Sequence, residues 1–310
     1  MPFSKANLLG QKREPFLIIA DFLATKVEIF TLDELRDIEF SFDEFYTYKK
    51  HNHKLEKSPI DFSAYEQKLN QVQDEIKKGN TYLLNLTQAT PIKTNLTLKE
   101  IYSLANAKFK LRFYDEFVVF SPERFVNIKD NTINTYPMKG TMDASIKDAK
   151  KLLLEDEKEL AEHTMVVDLL RNDLSMVANR VEVKKFRYID EIDSGDKKLL
   201  QVSSHISGIV GKNWQENIGD ILKKLLPAGS ISGTPKQKTL EIIDSVEGYD
   251  RGYFSGVFGF FDGESFDSAV MIRFIEKTKN GYLYKSGGGI TIDSKAKSEY
   301  NELLDKIYIP

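Results

Sequence analysis

Glu159 and Glu162 in KELAEH, and Glu299 and Glu302 in EYNELLDK, are two carboxylate pairs with the same three-residue spacing. On a helix that spacing brings both members of a pair to one face, where they could share an ion. Carboxylates from two helices, in a chain with no cysteine and no paired histidines, suit a hard, oxygen-seeking cation such as Mg²⁺ rather than Zn²⁺. Solvated helix surfaces carry the same spacing, and that is the commoner origin of an isolated E-x-x-E. Lys139 lies in Tyr136-Pro137-Met138-Lys139-Gly140-Thr141, where a strand meets a glycine-containing turn. It reads either as a solvated charge at a strand end or as a partly desolvated lysine whose lowered pKa frees its amine as a nucleophile. The runs Gly229-Ser230-Ile231-Ser232-Gly233 and Gly287-Gly288-Gly289 fit no phosphate-loop spacing, which argues against a nucleotide. They are tight turns, or turns whose backbone amides approach a carboxylate.

These residues need elements to carry them. FLIIADF, KVEIF and DIEFSF read as strands that pair with one another. Tyr65, Leu69, Val72 and Ile76 give an amphipathic helix ending at Gly79-Asn80. Next come a strand at TYLLNLT, a helix at LKEIYSLANAKF, a strand at FVVFS and a hairpin at RFVNIKDNTINTYP turning on Asp130-Asn131. A long helical stretch from about Lys147 to Val177, breaking once, carries the first carboxylate pair. After mixed strand and loop come helices at NIGDILKKLL and KQKTLEIIDSVEG. Strands follow at YFSGVFGFF, SAVMIRFIEK and YLYKSGGGITI, and a helix from Lys295 to Ile307 carries the second pair. With no internal repeat and no long Pro/Gly/Ser linker, a single α/β domain is the simplest organisation on the strand and helix pattern alone.

Composition narrows the partners. The net charge of -3 comes from interspersed acidic and basic residues, leaving no footprint for nucleic acid or an anionic membrane. No apolar run is long enough to span a bilayer and MPFSKANLLG lacks the core of a secretory signal, so cytoplasm is the expected location. The absence of cysteine removes disulfides and cysteine nucleophiles from consideration.

Taken together, several long segments resemble the chorismate-utilising family that contains anthranilate, aminodeoxychorismate, isochorismate and salicylate synthases. They are GNTYLLNLTQ (79–88), SPERF (121–125), YPMKGT (136–141) and KELAEHTMVVDLLRNDL (158–174). LLPAGSISGTPKQKTLEIIDSVEGYDRGYFSGVFGFF (225–261), MIRF (271–274) and SGGGITIDSKAKSEYNELLDK (286–306) complete the set. The resemblance implies an α+β fold of two facing antiparallel β-sheets flanked by helices. It would form one catalytic domain over 1–310, with a shortened β-rich part at 1–60 and the core at 61–310.

The resemblance also implies roles. Glu162 and Glu302 would coordinate Mg²⁺ directly, Glu159 and Glu299 through water, and the ion would hold the ring carboxylate of chorismate. Glu123 in SPERF matches the family's general acid, which protonates the departing C4 hydroxyl and must therefore stay protonated near neutral pH. Thr141, Arg273, Lys306 and the backbone around Gly287, Gly288 and Gly289 match positions that bind the substrate's carboxylates. Lys139 is usually alanine in anthranilate synthases and, in many aminodeoxychorismate synthases, a lysine that forms an adduct at C2. Gln201 stands where anthranilate synthases usually have histidine. Leu83 occupies the place of the lysine that activates water in isochorismate and salicylate synthases, and nearer relatives usually carry glutamine there. Met138 and Ser232 replace the usual Ile and Thr with residues of similar size, and His163 and His205 read as structural. The expectation is amination of chorismate at C4, with anthranilate formation the alternative and a catalytically inactive relative a remote third. Ammonia would come free or from a separate class I glutaminase subunit, since this chain has no cysteine to open an amide. No amino-acid feedback site is expected, because the longer N-terminal region with an LLES-like segment is not seen.

Overall fold

The computed structural model describes residues 2–42, 54–193 and 198–309. In chain order these form α1 (Pro2–Lys12), β1 (Phe16–Ala20), β2 (Val27–Thr31), β3 (Ile38–Phe42), β4 (Leu55–Lys57), α2 (Phe62–Lys77), β5 (Leu83–Thr94) and α3 (Leu98–Leu104). Then come β6 (Phe109–Phe113), β7 (Phe117–Ser121), β8 (Arg124–Lys129), β9 (Thr132–Thr135), β10 (Met138–Asp143), α4 (Ala149–Glu155) and α5 (Glu157–Ser175). The long hairpin β11 (Asn179–Asp193) and β12 (Lys198–Ile209) precedes α6 (Ile218–Leu225), β13 (Gly233–Thr234), α7 (Lys236–Glu247) and β14 (Val257–Phe261). β15 (Phe266–Val270), β16 (Phe274–Thr278), β17 (Gly281–Ile290) and α8 (Ala296–Asp305) close the series.

Among the described residues the strands form two antiparallel sheets. One has nine strands, ordered β10-β12-β9-β8-β15-β14-β1-β2 with β11 on β12, and the other has eight, ordered β13-β5-β17-β16-β7-β6-β3 with β4 on β5. β1 is buried along its whole length because both its faces are covered. Leu17 and Ile19 meet Phe109, Phe113, Phe117, Phe258 and Phe274 in an aromatic core between the sheets. Phe16, Ile18 and Ala20 face the opposite way, into a core shared with helices. The expected two-sheet α+β architecture is thus observed.

Several local expectations hold. The 124–135 hairpin turns on Asp130 and Asn131, both at positive φ (49° and 59°), as a two-residue hairpin turn of matching twist requires. The long helical stretch breaks once, at Asp156, whose side chain accepts from the Glu159 amide and caps α5. Others are corrected. β3 does not pair with β1 or β2 but with β6 of the other sheet. LKEIYSLANAKF is helical only to Leu104, since Phe109 begins β6. α1 went unforeseen because its buried face is just Ala6, Leu9 and Gly10. SAVMIRFIEK is not one strand: it leaves the nine-stranded sheet after Val270 and enters the eight-stranded sheet at Phe274, with Arg273 at φ 54° in the crossing. The chain makes the reverse passage between β7 and β8, and Glu123 lies there. The Phe120 amide donates to the Arg273 carbonyl at 3.2 Å and the Val270 amide to the Glu123 carbonyl at 3.1 Å, which stitches the two crossings together.

Candidate functional site

Lys139 is aimed by a bulge. The ladder between β10 and β12 pairs Met138 with Ser203 and Thr141 with Gln201, and its register slips in between. Gly140 adopts φ 81° in that slip, a conformation that costs glycine little. The Lys139 amine consequently reaches α5 and donates to Glu162 Oε2 at 3.1 Å. A Cβ at Gly140 would lie 3.3 Å from Glu159 Oε2, so the bare backbone also admits the second carboxylate of α5.

The three glycines of β17 are strand, not turn: Gly287, Gly288 and Gly289 face Thr87, Leu86 and Asn85 of β5. The absence of side chains leaves space for charged groups. A Cβ on Gly288 would stand 3.4 Å from Glu302 Oε1, 3.7 Å from Glu299 Oε2 and 3.7 Å from Lys306 Nζ. On Gly289 it would stand 3.2 Å from Lys139 Nζ. Both carboxylate pairs and two of the proposed cationic groups therefore converge around β10 and β17. Glu162 and Glu299 are the buried members and Glu302 is half-exposed. Lys306, at the C-terminus of α8, donates to the Gly287 carbonyl at 2.8 Å and lies 2.6 Å from Glu302 Oε1.

The electrostatics separate the groups. Burial pushes the Glu123 carboxyl above the ordinary range, against the opposing pull of a Ser230 hydrogen bond and of Lys139, Lys306 and Arg273. A carboxyl held protonated is what a general acid requires. Burial likewise acts against charge on Glu302, but Lys306, Lys139 and Lys158 outweigh it and hold that carboxyl low. Burial and the neighbouring cations Arg273 and Lys139 depress Lys306 despite Glu302. Lys139 departs from the expectation of a lowered pKa: burial disfavours its ammonium, yet Glu162, with Glu302 and Glu159, prevails and raises it.

The carboxylates pass a test for a cation. Glu162 Oε1 is buried and accepts no hydrogen bond, an uncompensated state that a bound ion would relieve. Among the described residues no three acidic or histidine side chains already stand in a ligating arrangement. Lys158, which the sequence reading passed over, lies 3.6 Å from Glu162 Oε1 and 3.3 Å from Glu299 Oε1. Its i,i+4 spacing from Glu162 was the available signal. Ser230, beside Glu123, had no signal beyond its place in a glycine-rich turn. Neither His163 nor His205 joins the ion pairs of this cluster. His163 Nε2 is 2.6 Å from Ser204 Oγ, and burial, with Arg187 and Lys139 nearby, lowers its pKa to about 4. His205 stacks on Tyr136 and contacts Asn134 Oδ1 at 2.8 Å.

A buried carboxyl whose pKa is raised, a cluster of carboxylates and several cations thus meet between the two antiparallel sheets. The chain belongs to the chorismate binding enzyme family, whose model matches residues 33–310. It is 50% identical, over 99% of its length and 95% of the relative's, to an uncharacterized PabA-like protein of Haemophilus influenzae. It is 30% identical to aminodeoxychorismate synthase component 1 of Salmonella typhimurium, over 78% of this chain and 56% of that one. The crystal structure of anthranilate synthase component I from Streptococcus pneumoniae superposes with a TM-score of 0.69 at 27% identity, covering 82% of this chain and 58% of that one. No helix of the described residues is long and apolar enough to cross a membrane.

Proposed function

We propose that this chain is an aminodeoxychorismate synthase component I, converting chorismate and ammonia to 4-amino-4-deoxychorismate on the way to p-aminobenzoate and folate. The observation that carries this reading is the placement of Lys139, whose amine lies over Gly289 and beside Glu162 in the same site as Glu123. Charge balance supports an anionic substrate bound with a divalent ion. The four carboxylates of Glu159, Glu162, Glu299 and Glu302 are matched by the four cations Lys139, Lys158, Lys306 and Arg273. A divalent cation adds positive charge to this cluster and so favours an anionic substrate such as chorismate.

In this reading Glu162 and Glu302, assisted by Glu159 and Glu299, would hold Mg²⁺. The ion would anchor the ring carboxylate and draw away the negative charge that keeps Lys139 protonated. Arg273, Lys306, Thr141, Gln201 and the backbone of Gly287, Gly288 and Gly289 orient the substrate. Neutral Lys139 attacks C2, the double bonds shift, and the C4–O bond breaks as Glu123 gives its proton to the hydroxyl, which leaves as water. Ammonia then bonds to C4, the C2–N bond to lysine breaks with return of its electron pair to the amine, and the Glu123 carboxylate takes the proton shed at C4. Covalent catalysis divides one allylic substitution into two. A separate glutaminase subunit supplies the ammonia in the cell, because this chain has no cysteine.

The test is product identification from chorismate and MgCl₂ with ammonium or with glutamine. The expected product retains its enolpyruvyl group, forms from ammonium only, and yields p-aminobenzoate when a lyase is added. Anthranilate with equimolar pyruvate would establish the anthranilate synthase reading instead. Unchanged chorismate would mean an inactive relative, and turnover of glutamine by the pure chain would overturn the two-subunit reading.

A further inference from the structure

We infer that Lys158 is the resident cation of the carboxylate cluster and exchanges places with the divalent ion, swinging into the adjoining cavity when the ion binds. The inference rests on the reading that the four glutamates take such an ion. Lys139 and Lys306 each hold the carboxylate of one helix, Glu162 on α5 and Glu302 on α8. Lys158 spans both helices, because its ammonium stands between Glu162 Oε1 and Glu299 Oε1 at 3.6 and 3.3 Å. Those two carboxylates are 6% and 4% exposed at the side chain, so without a counter-charge their burial would be costly. The hold is incomplete: Glu162 Oε1, despite this neighbour, accepts no hydrogen bond. A divalent ion on the same oxygens would face the ammonium at a few ångströms, and like charges at that distance repel strongly in a partly buried site.

The displaced side chain has somewhere to go. A cavity of about 220 Å³ adjoins the cluster, lined by Lys158 and Glu162 together with Ile76, Tyr82, Met165 and Asp293. Its apolar walls suit the lysine's methylene stem, and Asp293 offers the ammonium a new partner. The Lys158 side chain is 42% exposed, so packing does not lock it in place. One lysine would thus neutralise the buried carboxylates while the ion is absent and vacate them when it arrives.

The test uses the full chain. Amine-reactive labelling read by mass spectrometry is run in MgCl₂ and in NaCl of equal ionic strength. Labelling of Lys158 is expected to rise several-fold with Mg²⁺, while exposed Lys99 stays constant. Calorimetry should show Lys158→Met binding Mg²⁺ roughly tenfold more tightly than the wild type, since no resident charge has to leave. Saturable Mg²⁺ binding with unchanged Lys158 labelling, or weaker binding by the variant, would overturn the exchange and leave the metal reading standing. Failure of both proteins to bind Mg²⁺ would overturn both.

Discussion

Leu83 Cδ1 and Lys139 Nζ close on the same point, 3.1 and 3.2 Å from where a Cβ on Gly289 would lie. A buried hydrocarbon branch therefore stands beside the amine and offers no hydrogen bond to a water there. Leu83→Lys should admit a base at this wall and divert a measurable fraction of chorismate to a product hydroxylated at C2. NMR analysis of the products of the variant and the wild type decides this, and identical product spectra would remove Leu83 as a determinant of the reaction.

Lys139 is expected to form an adduct when enzyme, chorismate and Mg²⁺ are mixed without ammonia. Mass spectrometry should place the added mass on its peptide without borohydride, because the bond is an amine and not an imine. Lys139→Ala should abolish the adduct and slow amination, while some activity survives through direct attack of ammonia on the ring. An adduct that persists in the variant sinks the assignment.

If Glu123 is the general acid, it is expected to set the alkaline limit of activity. Since burial raises its pKa, the acid is available at low pH and is lost as pH climbs through the raised value. Glu123→Gln should cost roughly 10²–10⁴-fold in kcat. The same residue bears on stability: the folded state keeps a proton that the unfolded chain releases. The associated stability is complete below the ordinary carboxyl range and declines as pH rises toward the raised value. Urea denaturation at pH 5 and pH 8 should show a smaller decline for Glu123→Gln than for the wild type, and parallel declines would refute this.

Glu162→Ala and Glu302→Ala are each expected to abolish Mg²⁺-dependent turnover while circular dichroism remains that of the native fold. Lost ligands weaken the ion that anchors the substrate. Full activity at low Mg²⁺ in either variant would take the ion away from these helices.

The Glu247–Arg251 pair supports the site from behind. The two side chains are 1% and 2% exposed, and Arg251 also donates to the carbonyls of Ile231 and Asn85 at 3.0 and 2.6 Å. Arg251→Met leaves a buried carboxylate without its partner and should destabilise the fold by about 3–5 kcal/mol, measured by urea denaturation. A loss below about 1 kcal/mol, the range of exposed pairs, would show that the pair is not the brace its burial suggests.

Much of this architecture was legible because it is local. The carboxylate spacings, the break in the long helical stretch and the Asp130-Asn131 turn each follow from a few adjacent residues. What the sequence concealed depends on partners far along the chain. DIEFSF has the composition of a strand, but nothing in it specifies pairing with β6 rather than β1. SAVMIRFIEK reads as one strand, and only the passage between sheets splits it before Phe274. Gly287 to Gly289 look like a turn and are a strand, since their meaning lies in what approaches them from α8 and β10. Burial alone would lower the pKa of Lys139, but Glu162, 23 positions away, outweighs it and raises it.

Glu123 and Arg273 both occupy passages between the sheets, and those passages are hydrogen-bonded to one another. The site therefore has no modular boundary. Cutting the chain at the Asp262–Ser265 turn would give fragments that each own parts of both layers and a complete version of neither. Grafting the pocket onto another scaffold loop by loop would fail for the same reason, because Glu123 and Arg273 belong to the seam that joins the layers. Exchange of segments between relatives would split that seam, whereas a point substitution leaves it intact.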